Sequence, residues 1–358
     1  MKGSTPFAFI SLPFVLGALS AAYAPVHIDA ATLRLASCIA VTCSVTAFCM
    51  TKQKAALFSC ILFFFTGIFC YACKAQDYIG EPLFRLQIVS ASRNRLINAV
   101  DALPIQDSDC KALVIALLTG DRSGLSGEIR LNFQKGGGAH ILALSGLHLG
   151  ILAGLIGNML RILGNTPPAK IIRATIIIAA STAYTIICGA SASLVRALLF
   201  ITFNSIGRLL PRRRAEPANC LLLAATIQLC LDPEAVRSVS FQLSYLACAG
   251  IIFIFPHMRV WHPAEKKTLS KRIWESVALS LCCQLTTAPV AWWHFRTLPK
   301  YFLLTNLLCL PLCEALIPLS LACTIINATG LNPAALCHVC EKCAELMLRT
   351  LEIIASIP

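Results

Sequence analysis

The stretch Ala116–Gly150 reads ALLTGDRSGLSGEIRLNFQKGGGAHILALSGLHLG and contains the transition that decides the fold. A polar, glycine-rich loop ends at Gly138, and an apolar segment that carries His140, Ser145 and His148 follows. Lipid offers no hydrogen-bonding partner, so uncharged polar groups at the mouth of a membrane helix need protein or water around them. The segment therefore predicts a helix that lines an interior or forms a gate, rather than a lipid-facing anchor.

The composition around this stretch is that of a membrane protein. Charged residues make up 13% of the 358 residues, against about 25% in ordinary soluble domains. Hydrophobic residues make up 57%, and the mean hydropathy is +0.74. A span needs about 20 mostly apolar residues, so we predict an all-α, polytopic membrane bundle of about 10–11 transmembrane helices with interfacial amphipathic helices. The predicted spans are Phe7–Tyr23, Ala31–Met50, Ala55–Cys73, His140–Leu163, Ile171–Cys188, Leu194–Leu210, Ala218–Leu231, Val239–Phe255, Ile273–Trp293, Tyr301–Ile326 and Ala334–Ile357.

The net charge of +13 is explained mainly by basic loops on the cytoplasmic side. With the N-terminus inside, four basic clusters fall in the cytoplasm and the Pro25–Ala30 loop falls outside. The clusters are Lys52 and Lys54; Arg161, Lys170 and Arg173; Arg208, Arg212, Arg213 and Arg214; and Arg259, Lys266, Lys267, Lys271 and Arg272.

Three regions follow from this topology. Residues 1–73 form N-terminal membrane helices, 74–139 an extracytoplasmic segment, and 140–358 the remaining bundle. Within the middle region, Glu81–Leu103 has the pattern of an amphipathic helix lying at the outer interface, and Asp109–Leu118 that of a short second helix.

The 19 cysteines are scattered through apolar segments, where a thiol behaves as a small hydrophobic group. We expect them to be mostly unpaired thiols. Cys337, Cys340 and Cys343 share a helix face, but no second cysteine pair completes a tetrahedral set nearby. The sequence predicts no metal site and no cofactor.

The polar residues before the fourth predicted span are candidates for a pore mouth. Asp121 and Arg122 follow Gly120, which is equally typical of a helix C-cap glycine followed by solvated charges. Lys135 is a further cation of this loop. The run 136–138, Gly-Gly-Gly, is a hinge, a close-approach site or a simple linker.

Ser145 and His148 lie three residues apart and therefore share a helix face. A serine beside a histidine permits an intramembrane hydrolase, but no acidic residue of this segment could orient the imidazole. A packed polar seam is the competing interpretation. Glycines recur at spacings of three and four, which either permits close helix contact or clears space along a pore: Gly146, Gly150, Gly154 and Gly157.

A second segment with polar residues begins at Gly189, in the turn GASAS, and continues to Arg196. An arginine inside a span needs a partner or water, so Arg196 either attracts phosphate from the outer side or extends to the interface. Gln242 and Ser244 open the eighth span, and Glu314 lies in the tenth, which Pro311 and Pro318 predict to be kinked or divided.

The last predicted span is amphipathic. Its polar residues lie at spacings of three and four, and this stripe either lines a bundle interior or lies on the surface. The stripe comprises His338, Glu341, Lys342, Glu345, Arg349 and Glu352.

These motifs, taken in order, resemble the ComEC-type competence protein family, bacterial inner-membrane channels that pass single-stranded DNA into the cytoplasm. The resemblance rests on ALLTGDR, HILALSGLHLG, YTIICGASASLVRALLF, LDPEAVRSVSFQLSYLACAG, TTAPVAWWHF and NLLCLPL, between about 116 and 319. It implies a multi-pass protein of the inner membrane that carries single-stranded DNA during natural transformation and is not an enzyme. The alternatives are a small-solute or lipid transporter, a membrane scaffold, or an intramembrane hydrolase. The matching positions are Asp121, Arg122, His140, Ser145, Gly146, His148, Gly189, Arg196, Phe241, Gln242, Ser244 and Pro289.

The sequence also departs from the full-length pattern of that family. Relatives carry an outer OB-fold domain and a metallo-β-lactamase-like domain, whereas residues 74–109 are too few for the first and no HxHxDH motif marks the second. We therefore expect no nuclease activity, and a reduced homologue, a split protein or a fragment. The implied partners are single-stranded DNA, membrane lipids and other competence proteins, including a separately encoded OB-fold or nuclease subunit, and the chain is a possible homo-oligomer.

Overall fold

The computed structural model describes residues 8–23, 34–42, 55–74, 87–209, 216–261 and 269–357. Across these ranges the regular structure is helical and contains no strand, so the all-α prediction is confirmed. Apart from a helical stretch at 34–42, the α-helices are α1 (Ala8–Ala22), α2 (Ala55–Lys74), α3 (Gln87–Asp101), α4 (Ser108–Thr119), α5 (Gly127–Lys135), α6 (Ala139–Leu142), α7 (Gly146–Met159), α8 (Pro167–Ile187), α9 (Ala192–Gly207), α10 (Pro217–Leu231), α11 (Val239–Ala249), α12 (Phe255–Arg259), α13 (Leu269–Phe295), α14 (Phe302–Ala328) and α15 (Ala334–Ser356).

Four helical segments of the described chain are long and apolar enough to cross a membrane: Gly146–Leu163, Pro167–Ile187, Val239–Arg259 and Phe302–Ala328. Shorter apolar stretches lie in α1, α2, α9 and α10. The chain is therefore an all-α membrane protein, although the long spans are fewer than the sequence predicts. Most of Ala31–Met50, the Pro25–Ala30 loop, the start of Glu81–Leu103 and the basic residues Lys52, Lys54, Arg212, Arg213, Arg214, Lys266 and Lys267 lie outside the described residues.

The fourth predicted span is wrong at its start. His140 belongs to the short helix α6, and the membrane-length helix begins only at Gly146. The interruption has a local cause: Ser145 is extended, with φ −120° and ψ 172°, and its side chain accepts a hydrogen bond from the Leu147 N–H as a helix N-cap. The two histidines of the motif therefore lie on different helices.

Proline does not divide the tenth predicted span. α14 is one helix of 27 residues that contains both Pro311 and Pro318. The eighth span extends past its predicted end: a π-helical turn, Gly250–Ile254, links α11 to α12. At Gly250 an added Cβ would lie 2.7 Å from the Cys282 carbonyl oxygen of α13, so the turn lies where two helices approach closely.

The largest hydrophobic cluster is formed by α4, α5, α14 and α15. Leu113 of α4, Leu316 of α14 and Met347 of α15 are each fully buried in it. α4 is thus a core helix, although it belongs to the segment 74–139 that the sequence analysis assigns to the outer side. The boundary at 139 itself stays a prediction.

The orientation of α15 places its polar stripe away from the hydrophobic core. Its apolar face packs on α14 and α4, and Ala344 and Leu351 are buried there. The polar stripe faces outward from this layer. On the surface of the helix, the Glu345 carboxylate accepts hydrogen bonds from Lys342 at 2.8 Å and from Arg349 at 2.5 Å.

A second cluster attaches α1 and α2 to α10 and to the 3₁₀ turn Pro233–Arg237. The guanidinium of Arg237 donates to the Ala22 carbonyl at the end of α1 and lies 5.9 Å from the ring centroid of Tyr71. α1 and α2 themselves cross at Gly17, where an added Cβ would lie within 2 Å of the Phe64 carbonyl oxygen.

Candidate polar path between the membrane helices

The TGDR turn ends α4 and carries the first candidate residues. Gly120 has φ 74°, and its N–H donates to the Ala116 carbonyl, so the C-cap interpretation is correct. Asp121 accepts a hydrogen bond from the Ser123 N–H at 3.0 Å. Hydrogen bonds from Ser123 hold the pKa of the Asp121 carboxyl below its ordinary value, and the nearby charge of Arg93 acts in the same direction.

Arg122 connects the TGDR turn with the segment HILALSGLHLG. Its Nε donates to the Leu142 carbonyl at the end of α6, at 3.2 Å, while the side chain remains exposed. Arg130 in turn donates to the Ser123 carbonyl at 3.2 Å. Lys135 is exposed at the last position of α5. The loop therefore presents cations to solvent at one end of the bundle.

The three glycines form a close-approach site rather than a simple linker. At Gly137, with φ 76°, an added Cβ would lie 2.6 Å from Pro299 Cβ. The Thr305 hydroxyl of α14 donates to the Gly136 carbonyl at 2.5 Å, and Gly138 lies against Thr305 and Leu351. The loop thus joins the start of α14 to the end of α15.

His140 lies beside this glycine loop. Its Nδ1 is 3.1 Å from the Gly137 carbonyl oxygen, which can only accept, so Nδ1 carries the proton of that bond. Desolvation lowers the pKa of the imidazole, and the hydrogen bond to Gly137 partly opposes this. The residue is nevertheless exposed to solvent. The role of His140 at a pore mouth stays a prediction.

Ser145 and His148 do meet, as their spacing predicts. The Ser145 N–H donates to His148 Nδ1 at 3.3 Å, and Ser145 Oγ is 3.1 Å from the same nitrogen. Because Nδ1 accepts a bond, Nε2 carries the proton in the neutral ring, and this buried donor has no partner among the residues that the structure describes. The pair is a capping box for α7, with one orphaned donor pointing into the bundle.

Arg196 lies inside the bundle and not at the lipid surface. It is 8% exposed, donates to the Ser244 carbonyl of α11, and lies 5.9 Å from the ring centroid of Tyr245. Its Nη2 lies only 3.2 Å from where a Cβ on Gly146 would be. None of the carboxylates that the structure describes forms an ion pair with it. Arg196 is therefore a buried cation at the junction of α7, α9 and α11, with no ion pair to a described carboxylate.

A chain of neutral hydrogen bonds extends from this cation. Ser193 donates to Ser244 Oγ at 3.0 Å. The Tyr245 hydroxyl donates to Gln228 Oε1 at 3.1 Å, and Gln228 Nε2 donates to the Ala192 carbonyl at 3.3 Å. We call this set, with Arg196, the polar seam. The sequence analysis places Arg196 and Ser244 among the candidates but leaves out Gln228 and Tyr245, which no pattern separated from ordinary helix-to-helix contacts.

Gly189, Gln242 and Glu314 are among the predicted site residues that lie outside the polar seam. Gln242 donates to the Tyr23 hydroxyl and to the Val236 carbonyl, both at 2.9 Å, and so fixes α1 against α11. Gly189 is an exposed turn residue with φ 81°, and Glu314 is exposed on α14. The structure does not bring these three together with Arg196.

Tyr184 and Arg93 are further members of the polar interior. The Tyr184 hydroxyl donates to the Leu118 carbonyl, an unsatisfied acceptor in the last turn of α4, at 2.8 Å. Arg93 of α3 lies near Asp121 and Cys188, and its buried Nε has no partner. A buried donor in an arginine of a polar helix carries no sequence signature, which is why Arg93 is absent from the predicted set.

Within the described parts of the chain, no group of three or more histidine, cysteine, aspartate or glutamate side chains is arranged to hold a metal ion. The cysteines that the structure describes are thiols, and many are buried, including Cys309, Cys313 and Cys340.

Comparison with known proteins gives this geometry a family. A profile described as "Competence protein" matches residues 117–358. ComE operon protein 3 of Bacillus subtilis (strain 168) is 28% identical over 246 residues, 67% of this chain and 29% of that protein. The uncharacterized protein YcaI of Escherichia coli (strain K12) is 26% identical over 234 residues, 63% of this chain and 30% of that protein.

Recombination protein 2 of Haemophilus influenzae (strain ATCC 51907 / DSM 11121 / KW20 / Rd) is 25% identical over 231 residues, 61% of this chain and 29% of that protein. The matched region is thus less than a third of each of these relatives, and no solved structure matches the chain. The family profile covers more than half of the chain and includes both the TGDR turn and the start of α7. The chain therefore belongs to the competence protein family.

Proposed function

We propose that this chain forms the membrane core of a channel that takes up single-stranded DNA during natural transformation. The polar seam is the observation that carries the proposal. A buried cation, without an ion pair among the described carboxylates, lies between three apolar helices and is surrounded by serine, glutamine and tyrosine side chains. Lipid cannot solvate such groups, so their presence supports a path for a polar solute.

The charge of the seam favours an anionic solute. A cation compensated by a carboxylate has little effect on a passing ion, whereas Arg196 retains its positive potential. Exposed Arg122 and Lys135 extend that potential to the end of the bundle where α6 and α7 begin. Positive charge that attracts a polyanion without forming a continuous binding groove suits transport better than storage.

The proposal places the chain in the bacterial inner membrane as a multi-pass protein. Its substrate is single-stranded DNA, and membrane lipids surround it. Because the matched region is under a third of its relatives, we propose that other competence proteins, including a separately encoded OB-fold or nuclease subunit, supply further steps. A homo-oligomer is an additional proposal.

The proposal assigns no enzymatic role to the Ser145–His148 pair. Ser145 Oγ already accepts the Leu147 N–H at 3.2 Å, and no group bonds His148 Nε2 to orient the ring for catalysis. Ser145→Gly, which costs a helix cap only a few tenths of a kcal/mol, should leave DNA uptake near the wild-type level. An intramembrane hydrolase would instead lose all activity with this change.

Gene deletion tests the proposed function. Labelled double-stranded DNA is added to competent cells, and the strand that becomes resistant to external nuclease is measured. Deletion should abolish this uptake, and a plasmid copy of the chain should restore it. Unchanged uptake in the deletion strain would contradict the channel, and a defect in export of a lipid or small solute instead would support the transporter alternative.

A further inference from the structure

The position of α4 along α14 has a consequence for the segment that precedes the first motif. The start of α4 lies near the end of α14: the N–H groups of Gln106 and Asp107, just before α4, donate to Glu341 Oε1 in the second turn of α15, which follows α14 in the chain. The end of α4 lies toward the start of α14: Arg122 donates to the Leu142 carbonyl of α6, and the glycine loop before α6 accepts a hydrogen bond from Thr305 in the first turn of α14. α4 therefore runs antiparallel to α14, with its start deep in the molecule.

The depth of that start follows from helix lengths. α14 has 27 residues and so extends over about 40 Å, enough to cross the hydrocarbon core. α4 has 12 residues, or about 18 Å, and lies alongside it. The turn between α3 and α4, residues 102–107, is therefore buried about half-way or more into the membrane from the mouth formed by α6 and the start of α7.

The turn anchors Leu103 and Ile105 in the hydrophobic core and ends in the exposed polar residues Gln106 and Asp107, and the exposed faces on each side of it are polar. The exposed polar residues of α3 and of the connection are Asn94, Arg95, Asn98, Asp101, Gln106, Asp107 and Asp109. The exposed charged and polar residues of α15 are His338, Lys342, Arg349 and Glu352. We call these two faces together the polar wall. Glu341 joins them, because its Oε1 accepts the N–H groups of Gln106 and Asp107 at 3.0 and 2.8 Å.

We propose that the α3–α4 hairpin re-enters the membrane from the outer side, and that the polar wall lines a water-filled path. Charged side chains at membrane depth must face water or protein, because lipid does not solvate them. A recess of about 420 Å³ opens where the turn meets α15, and Pro104, Gln106, His338 and Lys342 line it. The space is large enough for several water molecules.

The charges along the polar wall suit passage of a polyanion. Arg95 of α3 and Arg349 of α15 lie toward the outer mouth, whereas Asp101, Asp107 and Asp109 lie at the deep end. The deep lysines are partly compensated: Lys111 is 4.0 Å from Asp101, and Lys342 is 2.8 Å from Glu345. A polyanion is thus attracted at the mouth and not retained at depth. This part of the inference rests on the proposed function and names the wall of the proposed channel.

Thiol labelling of the full-length protein in sealed membranes tests the inference. A charged, membrane-impermeant methanethiosulfonate is added to Asn98→Cys and Arg349→Cys, with Ile176→Cys on the apolar exposed face of α8 as the matched control. Reaction needs a thiolate in water. We expect about one added adduct per chain, above the wild-type background, for the two wall positions and none for Ile176→Cys.

Failure of the two wall positions to react, at normal membrane levels of protein, would overturn the inference, whether lipid or a second polypeptide covers the wall. Asn98→Ser serves as the folding control. The labelling needs no DNA, so its result is independent of the gene-deletion test. Labelling as expected combined with normal uptake in the deletion strain would refute the proposed function and leave the water-filled wall intact.

Discussion

The polar seam and the α4–α14–α15 core are both interior, but different forces hold them. In the core, Leu113, Leu316 and Met347 are fully buried against one another and against cysteines. In the seam, Arg196 and its serine, glutamine and tyrosine neighbours are joined by hydrogen bonds and one cation–π contact. Apolar packing therefore holds the helices together in the core, whereas polar contacts join them in the seam.

The interior also buries polar atoms that the described chain leaves without a hydrogen bond. Buried polar atoms without a hydrogen-bond partner among the described residues include His148 Nε2 on α7, Ser181 Oγ on α8 and Asn306 Oδ1 on α14. Each costs about 1–3 kcal/mol unless water or a solute satisfies it.

The largest expected effect is on the core. Met347→Ala should lower the free energy of unfolding by about 2–5 kcal/mol, because Met347 is fully buried and the change leaves a cavity. The neighbouring Leu346→Ala is the control, since Leu346 is 53% exposed. Denaturant titration of purified protein in detergent measures both. Equal losses for the two variants would break the distinction between core and surface on α15.

The next effect compares two glycines. Gly137→Ala should destabilise the fold by more than about 1 kcal/mol, because residue 137 has φ 76° and an added Cβ would lie 2.6 Å from Pro299. Gly150→Ala on α7 should be neutral or stabilising by up to about 1 kcal/mol, since nothing lies within 4 Å of the added carbon. Thermal unfolding of both variants measures the contrast, and a reversed order would contradict the close-approach site.

These two comparisons show what the sequence could and could not predict. Apolar run length predicts most helices well, because membrane helices need continuous hydrophobic residues. It fails at Ser145, where an N-cap side chain stops the run locally although hydropathy continues. It also cannot show that α4 is a core helix, since the burial of Leu113 depends on α14 and α15, which lie about 200 residues away in the chain.

The candidate site was predictable only in part. The spacing of three residues brings Ser145 and His148 into contact, although Ser145 caps α7 rather than sharing its face. For Arg196 the sequence left two environments open, and its burial between α7, α9 and α11 depends on how the helices pack. Gln228 and Asn306 have no local signature, because a single amide in an apolar helix looks the same whether it lines a path or bonds a neighbour. Their positions depend on how the helices pack.

The smallest expected effect concerns pH at the mouth. Asp121 has a lowered pKa in the fold, so its stabilising contribution is present above the unfolded value of about 3.9 and is lost as the pH falls through the folded value. Asp121→Asn should therefore be slightly less stable than wild type at pH 7, and the difference should shrink toward pH 3. Melting temperatures at both pH values measure this. A difference that grows in acid would contradict the Ser123 hydrogen bonds as its cause.

The most direct test of the central claim is DNA uptake by Arg196 variants at matched membrane levels and matched melting temperatures. Arg196→Gln leaves no charge unpaired, so the fold should be retained while uptake falls at least tenfold. Arg196→Lys keeps the charge but not the planar fork and should retain part of the uptake, and Arg196→Glu should abolish it. Wild-type uptake by a folded Arg196→Gln protein would contradict the claim that the polar seam forms the path for DNA.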